Sequence, residues 1–250
     1  MTAPSRTQWG TRAAELYSEA YAEAYRQHDD RRGAGTAAAG LTRWLREISE
    51  QFDAPIDVLD LGCGTGRYFD APRNVRRLVG IDVSTPMLER ARRASARRAG
   101  GEVALVEGDF LIHEFPPSTF DLVYAIGVLA EHSPLDEAMV SRVQRWLRPG
   151  GRFAFTAVHP LSPSVPRTRK RRAGERLLPF AGLAPGRLRR TLRARLMSGG
   201  LYADPERVRD VVEAAGLRLE SIAPFQSDVH LHVLAVARNT QNARNTQEQC

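Results

Sequence analysis

Cysteine is nearly absent: the 250 residues hold two, Cys63 and Cys250, with no metal-ligand or CxxC spacing. A disulfide framework and a zinc site are therefore not expected, no other metal is indicated, and a reducing, cytoplasmic setting fits. Long apolar runs are also missing, since nothing approaches the roughly 18–20 residues that a membrane span requires. Residues 1–10 are polar, so no secretory signal is expected there. Lysine is reduced to one residue, Lys170, so the positive charge is almost wholly arginine.

What is present is ordinary for a globular chain. Hydrophobic residues make up 42%, and this length can bury a sizeable core, as one α/β domain with additions. The net charge of +7 suggests a nucleic-acid binder until its distribution is read. Between Arg167 and Arg195, ten arginines and Lys170 face a single acid, Glu175, so that segment carries +10 and the rest of the chain −3. Basicity is a local property of one insert.

The first expected helix runs from Thr7 to about Arg26, with Tyr17, Tyr21 and Tyr25 on one face. A second places Leu41, Trp44, Leu45, Ile48 and Phe52 in one stripe. Strands and helices then alternate. Ile56–Leu61 is a continuous apolar strand, and a short helix is expected from Gly66 to the limit set by Pro72. Arg77–Asp82 is a second strand, and Ser84 is the candidate N-cap of a helix carrying Met87, Leu88, Ala91 and Ala94. Glu102–Val106 and Phe120–Ile126 read as strands, Leu135–Leu147 as a helix and Arg152–Val158 as a fifth strand. Asp204-Pro205-Glu206 opens a last helix that Gly216 ends. Leu217–Ile222 and Val229–Ala237 close the chain as a strand pair.

This rhythm implies an α/β fold: a Rossmann-like, doubly wound, seven-stranded and mostly parallel sheet with an antiparallel terminal hairpin and helices on both faces. The expected divisions are a helical cap over 1–53, a core over 54–159 and a basic insert or lid over 160–200. A helix and strand pair over 201–238 complete the sheet, and a disordered tail follows over 239–250. Ligands of such sheets bind at the carboxyl ends of the strands.

There the chain carries Asp60-Leu61-Gly62-Cys63-Gly64-Thr65-Gly66. Glycines after a buried strand let a ligand approach the backbone, and the turn that follows offers its amides. A dinucleotide fingerprint would place its third glycine where Arg67 stands, and the Gly-Lys-Ser/Thr of a P-loop is absent. An acid, Asp60, precedes the turn, and a second, Asp82, lies twenty residues after Gly62.

Val58–Gly66 resembles the first motif of class I S-adenosylmethionine (SAM)-dependent methyltransferases. The resemblance continues through Gly80-Ile81-Asp82-Val83-Ser84, Glu107-Gly108-Asp109-Phe110, Phe120-Asp121-Leu122-Val123, Val128-Leu129-Ala130-Glu131-His132 and Leu147-Arg148-Pro149-Gly150-Gly151. It covers about residues 56–158 and implies SAM as cofactor. Gly62, Cys63, Gly64 and Gly66 would lie under its methionine part, and Asp60 would help hold the amino group. Asp82, with Val83 beside it, matches the carboxylate that accepts from both ribose hydroxyls. Asp109 and Phe110 match positions that meet the adenine, and Ile126 and Gly127 line the other side. Acceptor-only carboxylates suit a cation with amine and diol donors, where a pyrophosphate would be repelled.

His132 and His159, after the fourth and fifth strands, are the candidate proton acceptors. Tyr17 and Tyr21 are candidates for the acceptor pocket, because similar small-molecule enzymes close an N-terminal helix over SAM. Cys63 reads as a small loop residue, and His230 and His232 as a solvated strand face. The expected activity is methyl transfer to a small, lipophilic or anionic acceptor. No Asp/Asn-Pro-Pro-aromatic motif follows the fourth strand, and the fifth-strand region lacks a cysteine nucleophile, which discounts two classes of DNA enzyme. An RNA methyltransferase using Arg167–Arg195, whose phosphate contacts salt would weaken, is the alternative. That segment also suits an anionic membrane surface. A SAM-binding protein without catalysis is the third reading.

Overall fold

The computed structural model describes residues 8–11, 15, 36–98, 100–165, 201–227 and 230–240. Tyr17, Tyr21 and the basic segment 167–195 lie outside the described residues.

Seven strands form one sheet: β1 (Ile56–Leu61), β2 (Val75–Asp82), β3 (Glu102–Glu107), β4 (Phe120–Leu129), β5 (Leu147–Val158), β6 (Leu217–Gln226) and β7 (Leu231–Asn239). Their order is β3-β2-β1-β4-β5-β7-β6. The first five run parallel, and β7 pairs antiparallel with both β5 and β6. The expected class, with its terminal hairpin, is the one observed. The order reverses between β1 and β4, and that switch point is where such sheets open a crevice.

Among the described residues, four helices cover the sheet: α1 (Thr36–Ser49), α2 (Thr85–Arg97), α3 (Glu137–Trp146) and α4 (Pro205–Ala214). Residues 8–11 are also helical. Three of these helices start on side-chain caps, of which Ser84 and Asp204 were expected from the sequence. Ser84 accepts from the Met87 amide at 3.3 Å, Asp136 from Met139 at 2.8 Å and Asp204 from Arg207 at 2.9 Å. In α1, Leu41, Leu45 and Ile48 are buried at helical spacing.

Strand alternation divides the core in two. Leu59, Leu61, Val123, Phe153 and Phe155 face α3 and α4. Val58, Leu78, Leu122, Tyr124, Ala154 and Val236 face Leu45 and Ile48 of α1 and Leu88 and Ala91 of α2. Fully burying a Leu or Phe contributes about 1.5–3 kcal/mol, so these two layers hold the switch point rigid.

Two local expectations change. Residues 64–70 form turns rather than a short helix. Gly66 has φ +76°, and the Gly66 and Phe69 amides bond three residues back, to Cys63 and Gly66 carbonyls. Strand β4 continues past Ile126 to Leu129, because its register with β5 shifts between Ala125 and Leu129. Gly127, at φ +70°, sits in that irregularity, and its amide bonds to Thr156 Oγ1 on β5 at 2.8 Å.

Candidate active site

A cavity of about 310 Å³ lies at the carboxyl ends of β1, β2 and β4. Its size is in the range of a small-ligand site. Its first wall is the glycine turn. Gly62 has φ +68°, and a Cβ built there would lie 2.6 Å from Val128 Cγ2. Only glycine satisfies both constraints. The turn is held at its base by the Gly62 and Cys63 amides, which both bond the Ile81 carbonyl.

Asp60 ends β1 on the α1 face, and the sheet register sets Tyr124 beside it. It is 4% exposed. Burial pushes its carboxyl up to about 8, against a hydrogen bond from Tyr124, with the Asp82 charge adding to the rise. Asp82, at the end of β2, accepts from the Gly64 amide through Oδ2 at 2.8 Å and from Ser84 through Oδ1 at 2.9 Å. Burial raises it as well, opposed by the Ser84, Gly64 and Val83 amides. Asp109 Oδ1 accepts from the Leu111 amide at 2.8 Å, which orients the side chain after β3. The helical residues 8–11 pass directly over it: a Cβ on Gly10 would lie 2.3 Å from Asp109 Oδ2.

Asp60, Gly62, Cys63, Gly64, Asp82, Val83, Asp109, Phe110, Ile126, Gly127 and His132 all line this cavity. Gly66 and His159 do not. Gly66 turns toward Phe69 and Ala94 behind the loop. His159 instead orders the chain after β5, its Nδ1 accepting from the Leu161 amide at 3.0 Å. Cys63 is a buried free thiol, and burial first, then the Asp60 and Asp82 charges, lift its pKa well above the usual range. That is the opposite of an activated nucleophile.

Of the second wall only His132 was read from the sequence. After β4 the chain turns tightly, with the His132 and Ser133 amides both bonding the Val128 carbonyl at 3.1 Å. This turn presents Glu131 and His132 to the cavity. Opposite them stand Phe225, Ser227, His230 and His232 of the β6–β7 hairpin. Glu131 Oε1 lies 3.7 Å from His132 Nε2 and 3.8 Å from His230 Nε2. The His230 and His232 rings are 5.2 Å apart.

His230 and His232 are therefore not a solvated face; His232 is 8% exposed. The reason is register. His232 pairs with Val158, and alternation puts it on the side of the sheet that carries Val236, Ala154 and Tyr124. A His-x-His at the edge facing a ligand strand was the available signal. Burial lifts Glu131 to about 7 and lowers His232 to about 4, with His230 adding to the second shift. Burial lowers His132 and His230 too.

Residues 58–151 match the family described as a methyltransferase domain. A sterol 24-C-methyltransferase of Yarrowia lipolytica is 37% identical over 102 residues, which is 38% of this chain and 26% of that protein. Nocamycin O-methyltransferase of Saccharothrix syringae is 37% identical over 109 residues, 42% of this chain and 39% of that protein. The chain thus spans about a quarter to two fifths of the length of these relatives. Magnesium protoporphyrin IX methyltransferase from Synechocystis PCC 6803, solved with bound S-adenosylhomocysteine (SAH), superposes with a TM-score of 0.61. It is 15% identical, over 92% of this chain and 99% of that one, and so speaks for the fold.

Sheet order and glycine turn agree with the family match, by which residues 58–151 are similar to a methyltransferase domain. Among the described residues, no helix is long and apolar enough to cross a membrane.

Proposed function

We propose that this chain transfers a methyl group from SAM to a small-molecule acceptor. One observation carries the reading: Asp60, Asp82 and Asp109 converge on a single cavity beside a glycine turn. Among the described residues its wall holds one arginine, Arg67, and no lysine. Three carboxylates suit a cation with amine and diol donors and repel a phosphate ligand. Asp60 would take the ammonium, Asp82 the ribose hydroxyls, and Asp109 with Phe110 the adenine; Ile126 and Gly127 would close the other side.

When bound, SAM supplies an electrophilic methyl group on a sulfonium. The chain's own part is positioning and exclusion of water. Gly10 and Ala37, Ala38 and Leu41 of α1 form the cover, and Phe225 adds an apolar patch beside the histidines. The acceptor would lie there, between the Glu131–His132 turn and the β6–β7 hairpin. His132 is kept as an acceptor-facing residue and His159 is not, since its ring is engaged outside the cavity. The small-molecule reading draws on the relatives, one named for a sterol and one for nocamycin. A reducing cytoplasm would suit the free Cys63 thiol.

Turnover of methyl-labelled SAM against metabolite and RNA extracts tests this. Label in small molecules supports the proposal, and label confined to RNA would favour the basic segment 167–195 as an RNA contact. SAM binding with no product from either extract would leave a binding protein without catalysis.

A further inference from the structure

The acceptor end of the cavity contains more proton-handling groups than binding requires. Glu131 projects from the turn after β4, with His132 on one side and His230 of the opposite hairpin on the other, at 3.7 and 3.8 Å. His232 stands behind His230, and its Nδ1 is buried with no hydrogen-bond partner among the described residues. Asp60, Asp82 and Asp109 are the other carboxylates on the described wall, all on the cofactor side.

The far nitrogen of His230 is also committed. Its Nδ1 lies 2.8 Å from Ser164 Oγ, which lies 2.8 Å from Ser162 Oγ, and Ser162 Oγ accepts from the Leu231 amide at 3.0 Å. The Ser227 hydroxyl accepts from the His230 amide at 3.0 Å and fixes the backbone of that residue. Ser164 is exposed. A line therefore runs from the cavity through Glu131, across a gap of 3.8 Å, to both nitrogens of His230 and on to a solvent-facing hydroxyl. A hydroxyl serves an imidazole nitrogen as donor or acceptor, so Nδ1 can hold or release a proton there. An imidazole passes protons by taking one at one nitrogen and losing one at the other.

We propose that Glu131 is the general base of an acceptor that loses a proton on methylation, and that His230 and Ser164 conduct that proton to solvent. The inference rests on the methyltransferase reading above and narrows its substrate to a neutral O–H or N–H compound. The acceptor atom's lone pair bonds the methyl carbon, the carbon–sulfur pair returns to sulfur, and the acceptor's proton moves to the Glu131 carboxylate. One positive and one negative charge leave the cavity together, which suits a buried site. The gaps of 3.7 and 3.8 Å are of the kind that tighten when a site closes on its substrate. An anionic acceptor is disfavoured, because it would face Glu131 with no lysine or arginine on the described part of that wall.

A cationic sulfonium favours ionised Glu131, and the neutral thioether product does not. The test follows the Glu131 carboxyl by 13C NMR in the full chain, assigned by its loss in Glu131→Gln, with saturating SAM and then saturating SAH. Its midpoint is expected about one pH unit lower with SAM. Turnover on a panel of small phenols, alcohols and amines supplies the second arm. Glu131→Gln should lower kcat about 100-fold and abolish the rising limb near neutral pH. His230→Gln should lower kcat about tenfold at unchanged KM and displace that limb, which a merely structural role would not do. Equal midpoints with both ligands bound, or a Glu131→Gln enzyme that keeps the limb, would overturn the proton site alone. Failure of SAM to bind would overturn the cofactor assignment with it.

Discussion

Asp82 Oδ2 accepts a 2.8 Å hydrogen bond from the Gly64 amide. That bond ties the end of β2 to the turn after β1, so the carboxylate that would hold a ribose also shapes the loop that would hold the amino acid. Asp82→Ala removes both functions. SAM affinity is expected to fall about 100-fold, the equivalent of two hydrogen bonds to a charged group at about 1.5 kcal/mol each. Isothermal calorimetry checks it, and unchanged affinity would refute the ribose assignment.

Asp60 carries a pH signature. Its carboxyl is raised to about 8 in the folded chain, while the unfolded value is the ordinary 3.8. The folded state therefore holds the extra proton between these values, and stability from this group falls as pH rises through them. Asp60→Asn should raise the melting temperature above pH 7 and leave it unchanged near pH 3.5. The same variant should weaken SAM binding and flatten its rise between pH 5.5 and 8. A melting temperature that drops at pH 8 would show that the charge is compensated in some other way.

The strain at Gly62 separates into two parts. Gly62→Ala should destabilise the chain by about 1–2 kcal/mol for the left-handed backbone alone, with a further cost for the contact with Val128. Adding Val128→Ala should recover the contact part and not the backbone part. Denaturant titration of the single and double variants distinguishes them, and full recovery in the double variant would remove backbone conformation from the account.

At the opposite end of the strands, Asp57 is bound by Arg76 at 2.5 Å and Arg148 at 2.9 Å, and Arg148 reaches Asp121 at 2.6 Å. The Arg76 hydrogen bond, against partial burial and helped by Arg148, holds Asp57 below its usual value. A depressed carboxylate contributes stability above the unfolded pKa, and that stability is lost as pH falls through the folded one. Asp57→Asn should lower the melting temperature at pH 7 and make no difference at pH 2, with SAM affinity retained. Lost affinity at pH 7 in a folded variant would mean that this cluster reaches the site.

Most of the architecture was legible in the chain because its signals are local. The apolar run Ile56–Leu61, the caps Ser84 and Asp204 and the terminal hairpin each occupy a few adjacent residues. The order Asp60–Gly66, Asp82, Asp109 carried a resemblance to SAM-dependent methyltransferases, and the fold brings these residues to one cavity. Two local readings failed where tertiary bonding intervened. Residues 64–70 stay in turns around Gly66, and β4 runs on to Leu129 through an irregularity pinned by Thr156.

The sequence by itself determined the sheet, its helices and the ligand-side carboxylates, because period-2 and 3.6-residue patterns and glycine turns act over short distances. Only the tertiary structure brought the hairpin histidines into the other wall. His230 and His232 stand about a hundred residues from Glu131 in the chain and meet it because β7 inserts antiparallel beside β5. That register turns His232 toward the cavity, and one strand position more or less would have sent it to the other face.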